Sequence, residues 1–184
     1  MKERPILFSA PMVRAILDGK KTMTRRVYKP KFDKWQVGDR LWVKETFVKY
    51  CREKTLGEGD WDLNNPIIVY RADKDNPMTI EAEQAIAYAR DIVKSEGLSY
   101  VKQEGFCYAW RPSIFMPRKY SRILLEITDI KRELLRDILE DDAKREGFDN
   151  RQEFLDYFEK INPEMKGKNP EVMAIGFKVL EVKK

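Results

Sequence analysis

The residues "ILDGKKTMTRR" (16–26) contain a change of period, and that change decides the fold class. Upstream, "PMVRAILDG" places Met12, Val13, Ile16 and Leu17 on one face of a short helix that opens at Pro11 and stops at Gly19. Downstream, "TMTRRVYK" suits a short strand. Four basic side chains and two threonines crowd residues 20–26. A solvated helix end explains part of this, because Gly19 reads as a left-handed C-cap and basic residues in the last turn offset the helix dipole. That explanation covers Gly19 and Lys20. It leaves Lys21, Thr24 and Arg26, which carry the pattern on into the strand.

Working outward, "PILFSAP" reads as a first strand over 5–8. In "WQVGDRLWVKETFV", Val37-Gly38-Asp39 is a turn and 40–47 a strand with Leu41 and Val43 inward. Residues 53–66 read as loop and 67–71 ("IIVYR") as a strand. "SRILLEITDIKRELL" gives a strand over 122–129, with Ile123, Leu125 and Ile127 alternating against Leu124, Glu126 and Thr128. Two helices follow in "DILEDDAKREGF" and "NRQEFLDYFEKI", and "VMAIGFKVLEV" closes with a strand over 172–182. The segment 74–105 differs. Its apolar residues Ile80, Ala85, Ala89 and Ile92 lie on a loose helical stripe, predicting a helix over about 79–96 inserted between barrel strands. The whole reads as one α+β domain, 1–184, a small mixed barrel with peripheral helices.

Composition limits the chemistry. The chain of 184 residues is 42% hydrophobic, with four Trp, nine Phe and eight Tyr, enough for a core. No apolar run approaches the roughly 18 residues of a membrane helix, and "MKERPILFSAP" lacks a signal-peptide core, so a cytoplasmic protein with no membrane partner is expected. Cys51 and Cys107 are too few for a metal site or a disulfide framework. There is no histidine. Histidine-based triads, histidine-bearing zinc sites and histidine general bases are therefore excluded, and no metal or cofactor is expected. Catalysis would fall to Lys, carboxylates, Thr, Ser, Tyr or backbone amides.

The net charge of +5 is unevenly placed: residues 1–50 hold thirteen Lys/Arg against five Asp/Glu, a balance of +8. A second basic stretch, "WRPSIFMPRKYSR" (110–122), holds Arg111, Arg118, Lys119 and Arg122 and no acid. Basic segments interleaved with Trp110, Phe115 and Tyr120 suit a phosphate-bearing partner, RNA or DNA, with rings available to stack on bases.

Several of these motifs, in this order, resemble the ASCH domain family. Gly19, Lys21 and Arg26 fit its G-x-K-x-x-x-x-R signature, and "VGDRLWVKETF" resembles the strand pair that follows. "WRPSIFMPRKYSRILLEITDI" looks like the segment of phage and prophage members, "ILEDDAKREGF" like the family's Ala-x-x-Glu-Gly helix and "VMAIGFKVLEV" like its closing strand. The chain departs from phage-type relatives at Phe115, where they usually carry histidine, and at Glu171 and Ala174, near which they carry tryptophans. The resemblance implies a PUA-like, mostly antiparallel β-barrel that recognises RNA or a modified nucleoside. One branch of the family hydrolyses N4-acetylcytidine without metal through a Lys, a Thr and a Glu, which fall here on Lys21, Thr24 and Glu146. Another member type is described as a ribonuclease, and a non-catalytic RNA- or DNA-binding module is the further alternative.

The chemistry of the three residues is coherent by itself. Thr24 needs a base to become a nucleophile. Cations disfavour an ammonium, so Arg25 and Arg26 would help Lys21 to supply a neutral amine. Glu146 would return a proton to the leaving amine. Binding residues would be Gly19, Arg25, Arg26, Trp42, Trp110, Arg118 and Arg122. Against each stands a plainer role: a dipole partner for Lys21, a strand hydroxyl for Thr24, packing for Trp42 and Trp110, and solvated loop charge for Arg118 and Arg122.

Overall fold

The computed structural model describes residues 1–50, 67–76, 79–80, 82–84, 86–87 and 110–183. The chain divides into two compact units, one of Met1–Ile6, Pro11–Val43 and Ser121–Lys184, the other of Leu7–Ala10 and Lys44–Tyr120. Its elements are β1 (Glu3–Leu7), α1 (Ala10–Leu17), β2 (Met23–Val27), β3 (Arg40–Lys44), β4 (Phe47–Tyr50), β5 (Ile67–Tyr70), β6 (Ile123–Leu134), α2 (Glu140–Arg145), α3 (Arg151–Ile161) and β7 (Glu171–Val182).

The first unit is built on a five-stranded sheet of order β1-β3-β6-β7-β2. The β3/β6, β6/β7 and β7/β2 pairs are antiparallel. β1 runs parallel to β3, as the bonds from Arg40 N–H to Lys2 C=O and from Phe8 N–H to Lys44 C=O require. The protein is thus a mixed α+β chain with a mostly antiparallel sheet. The expected closed barrel does not form among the described residues, since β1 and β2 remain as edges. Each edge strand has five residues, against twelve in the central β6 and β7. That central pair shifts register between Leu124/Leu125 and Ile127/Asp129, bulges that bend and coil it.

Leu135, Ile138, Ala143, Phe154, Phe158 and Val172 form one core cluster, which seats α2 and α3 on the sheet. Asn150 caps α3 by accepting the Glu153 N–H at 2.9 Å, and Glu153 accepts the Asp149 N–H at 3.0 Å, a reciprocal cap that fixes the turn after α2.

In the second unit β4 and β5 pair antiparallel, and Phe47 also pairs with Arg111. The strand expected over 40–47 is therefore two strands. β3 pairs with β6, the chain passes through the buried Glu45, and β4 takes a new partner in β5. Residues 79–80, 82–84 and 86–87 are helical, within the expected helix. Its inward face differs from the expected stripe. Thr79, Ala82 and Ile86 are buried and Ile80 is 46% exposed, because the Thr79 hydroxyl satisfies itself on the Tyr70 carbonyl at 3.4 Å. The 53–66 loop, most of the 74–105 insertion including Ala85, Ala89 and Ile92, and both cysteines lie outside the described residues.

Candidate functional site

Local backbone geometry assembles the site from distant segments. Gly19 takes φ +72°, and the Lys20 and Lys21 N–H groups both return to the Ala15 carbonyl at 2.9 Å, closing α1. The next residue, Thr22, donates its N–H to the Arg145 carbonyl and accepts the Phe177 N–H, each at 2.8 Å. The exit of α1 is thereby tied to both α2 and β7. Gly147, at φ +90°, allows the closest approach: a Cβ there would lie 3.2 Å from Ala15 Cβ and 3.5 Å from Lys21 Cβ. Glu146, capping α2, is in this way brought against Lys21.

Lys21 Nζ donates to Glu146 Oε2 and to the Glu146 carbonyl, both at 2.7 Å, and each residue is 2% exposed. Arg25 is enclosed beside them. Its guanidinium meets Glu133 at 2.7 Å, Asp142 at 2.6 Å and Glu146 at 3.4 Å. Register explains the Glu133 contact. Arg25 lies opposite Ala174 on β7 and Ala174 opposite Lys131 on β6, so the arginine crosses a small alanine to reach Glu133, two residues further along β6. Burial pushes the Lys21 ammonium below its usual range; Glu146 opposes this, while Arg26 and Arg25 reinforce it. Burial also lowers the Arg26 guanidinium, against the pull of Glu146 and Tyr157.

Lys21 and Glu146 therefore meet, and Thr24 stands on the adjoining strand, 4% exposed and opposite Ile175. Among the described residues the Thr24 hydroxyl makes no hydrogen bond. Arg25, expected to contact a ligand, has a guanidinium with no exposed surface and three carboxylates around it. Gly19 makes the turn and is itself open to solvent. Trp42 is half-buried on β3 opposite Leu124, and the carbonyl of the half-buried Arg122 accepts the Lys183 N–H at 2.8 Å. In the second unit, the half-buried Arg118 belongs to a 3₁₀ turn, and Trp110 packs against Val48, Val69 and Ala82.

Two members of the network were missed in the sequence. Asp142 precedes Glu146 by four residues, a helical spacing that could have flagged it. Glu133 carries no such signal, since its role depends on the register of three strands.

No family model matches the chain, and no curated protein matches it. A solved structure described as hypothetical protein PH0355 aligns over 98% of this chain and 100% of its own, at 11% identity and a TM-score of 0.47. A likeness that weak carries no argument about fold or function.

Proposed function

We propose that this chain is an ASCH-type domain of PUA-like fold, with its sheet left open, that binds a nucleic acid or modified pyrimidine nucleoside and hydrolyses an N4-acyl group from cytosine. The observation that carries this reading is the buried 2.7 Å contact between Lys21 and Glu146. One proton crossing that contact converts an ammonium–carboxylate pair into an amine and a carboxylic acid, which are the base and the acid that amide hydrolysis needs. Burial of Lys21 favours the neutral pair, and Arg25 on Glu146 opposes it.

The steps balance. Lys21 takes the Thr24 proton as Oγ1 bonds to the acyl carbon, and the C–N4 bond breaks as Glu146 gives its proton to N4. Cytidine leaves, and the ion pair is restored beside an acyl-threonine. The pair's proton then returns to Glu146, water adds to the acyl carbon and gives a proton to the freed Lys21 amine, and the bond from Oγ1 to the acyl carbon breaks as Lys21 passes that proton to Thr24, releasing acetic acid. The net change is one amide and one water giving one amine and one acid, with no metal or cofactor.

A second reading has its own observation. Lys21, Thr24 and Glu146 are all at most 4% exposed, which favours a structural ion pair in a non-catalytic RNA- or DNA-binding module. Chromatography of N4-acetylcytidine after incubation with protein separates the two. Wild type should release cytidine and acetate, and both Lys21→Ala and Thr24→Ala should reduce turnover by about a thousandfold. Full activity in Thr24→Ala excludes it as nucleophile. No cytidine from wild type leaves the binding module as the better reading.

A further inference from the structure

Lys49 on β4 and Lys119 in the 110–122 segment both reach the phenol of Tyr120. Their ammonium groups lie 5.4 and 5.0 Å from its ring centre, and the two charges pull the acidity of its hydroxyl upward. Among the described residues neither lysine pairs with a carboxylate. Two ammonium groups gathered at one neutral phenol repel each other, and the phenol neutralises neither. An oxyanion bridging them would remove that repulsion and gain charge-assisted hydrogen bonds.

The surroundings hold this cluster in place. The Tyr70 hydroxyl donates to the Tyr120 carbonyl at 2.9 Å, the Tyr120 N–H bonds the Pro117 carbonyl at 3.1 Å, and its ring lies 6.0 Å from that of Phe47. Upstream, Met116 is 1% exposed and anchors a 3₁₀ turn whose Ile114 carbonyl accepts from Lys44. Phe115, in that turn, is 68% exposed. Burial pushes the Tyr120 phenol up, but the two ammonium groups reverse this, so its hydroxyl is a strong donor.

We infer that Lys49, Lys119 and the Tyr120 hydroxyl form a phosphate site for single-stranded nucleic acid, with the exposed Phe115 ring stacking a base of the same strand. The inference rests on the nucleic-acid part of the function proposed above and gives it a location in the second unit. The lysines contact phosphate oxygens as point charges, and the phenol donates a third hydrogen bond. A single strand fits the exposed ring because its base faces are open, whereas a duplex hides them.

Fluorescence anisotropy with the whole chain and a labelled oligouridylate of about twelve nucleotides tests this. Lys49→Ala and Lys119→Ala should each weaken binding roughly tenfold and reduce the log–log salt slope by about 0.7. Lys49→Arg should retain binding, and Tyr120→Phe should weaken it severalfold. Phe115→Ala should weaken it about tenfold with the slope unchanged. Wild-type binding by both lysine variants, or no binding by wild type, overturns the inference. If inorganic phosphate displaces the RNA and Phe115→Ala binds like wild type, the site takes phosphate esters generally and the single-strand assignment falls. Hydrolysis of free N4-acetylcytidine by wild type reads the other proposal separately. Turnover without RNA binding sinks this site alone, and RNA binding without turnover sinks only the catalytic reading.

Discussion

Glu146 is the residue on which stability and the proposed chemistry both depend. It accepts from Lys21 and faces Arg25, so Glu146→Gln would leave two buried cations short of one carboxylate oxygen charge. Removing one partner of a buried ion pair costs about 3 kcal/mol. The double variant Glu146→Gln/Lys21→Met should cost less than the sum of the two single changes, by at least about 1 kcal/mol, in urea unfolding. Additive losses would show that the pair is not coupled. Lys21 also gives a pH signature. Its folded pKa lies below the ordinary 10.5, so between those values the unfolded chain holds a proton that the folded chain has lost. Its contribution to stability therefore rises with pH across that window. The stability of wild type minus that of Lys21→Met should grow from neutral pH towards pH 10, and a flat or falling difference would mean that Glu146 outweighs burial.

Among the elements, α1, α2 and β2 are held by two glycines whose demands differ. Both take positive φ, but only Gly147 has neighbours where a Cβ would stand. Gly19→Ala should cost about 1 kcal/mol from the left-handed backbone alone. Gly147→Ala should cost about 2 kcal/mol or more, because Ala15 and Lys21 must also move. Equal losses in urea unfolding would refute the close approach of α2 to α1. The sequence disclosed α1, its stop and β2, because apolar period and glycine act locally there. It under-read β6, which continues from 129 to Leu134. That half is mostly exposed, so alternation fades, and pairing with β7 alone sustains it. It also joined β3 to β4, since the inward positions Leu41, Val43, Glu45 and Phe47 keep one alternation across the change of strand partner. The Lys21–Glu146 contact spans 125 positions, and only motif resemblance pointed to it. The enclosure of Arg25 depended on Ala174 and Glu133, whose places are set by register and not by local pattern.

Across the whole molecule, the +8 balance of the first fifty residues overstates the charge available to a polyanion. Lys21 and Arg25 are buried in ion pairs, and Arg4 is paired with Asp39 at 3.2 Å. Lys29, Lys31 and Lys34, by contrast, are exposed around the 3₁₀ turn Pro30–Lys34. The acid within that turn, Asp33, accepts the Tyr28 hydroxyl at 2.7 Å. Only cations that reach phosphate release condensed counterions, so only they set how steeply binding falls with salt. If the first unit contacts single-stranded RNA, replacing all three exposed lysines by glutamine should flatten the log–log salt slope by about 2. Lys21→Met and Arg25→Met should leave that slope unchanged whatever they do to stability. Titrations at several salt concentrations check this directly. A slope that responds to the buried pair and ignores the three lysines would place the contact surface elsewhere than this turn.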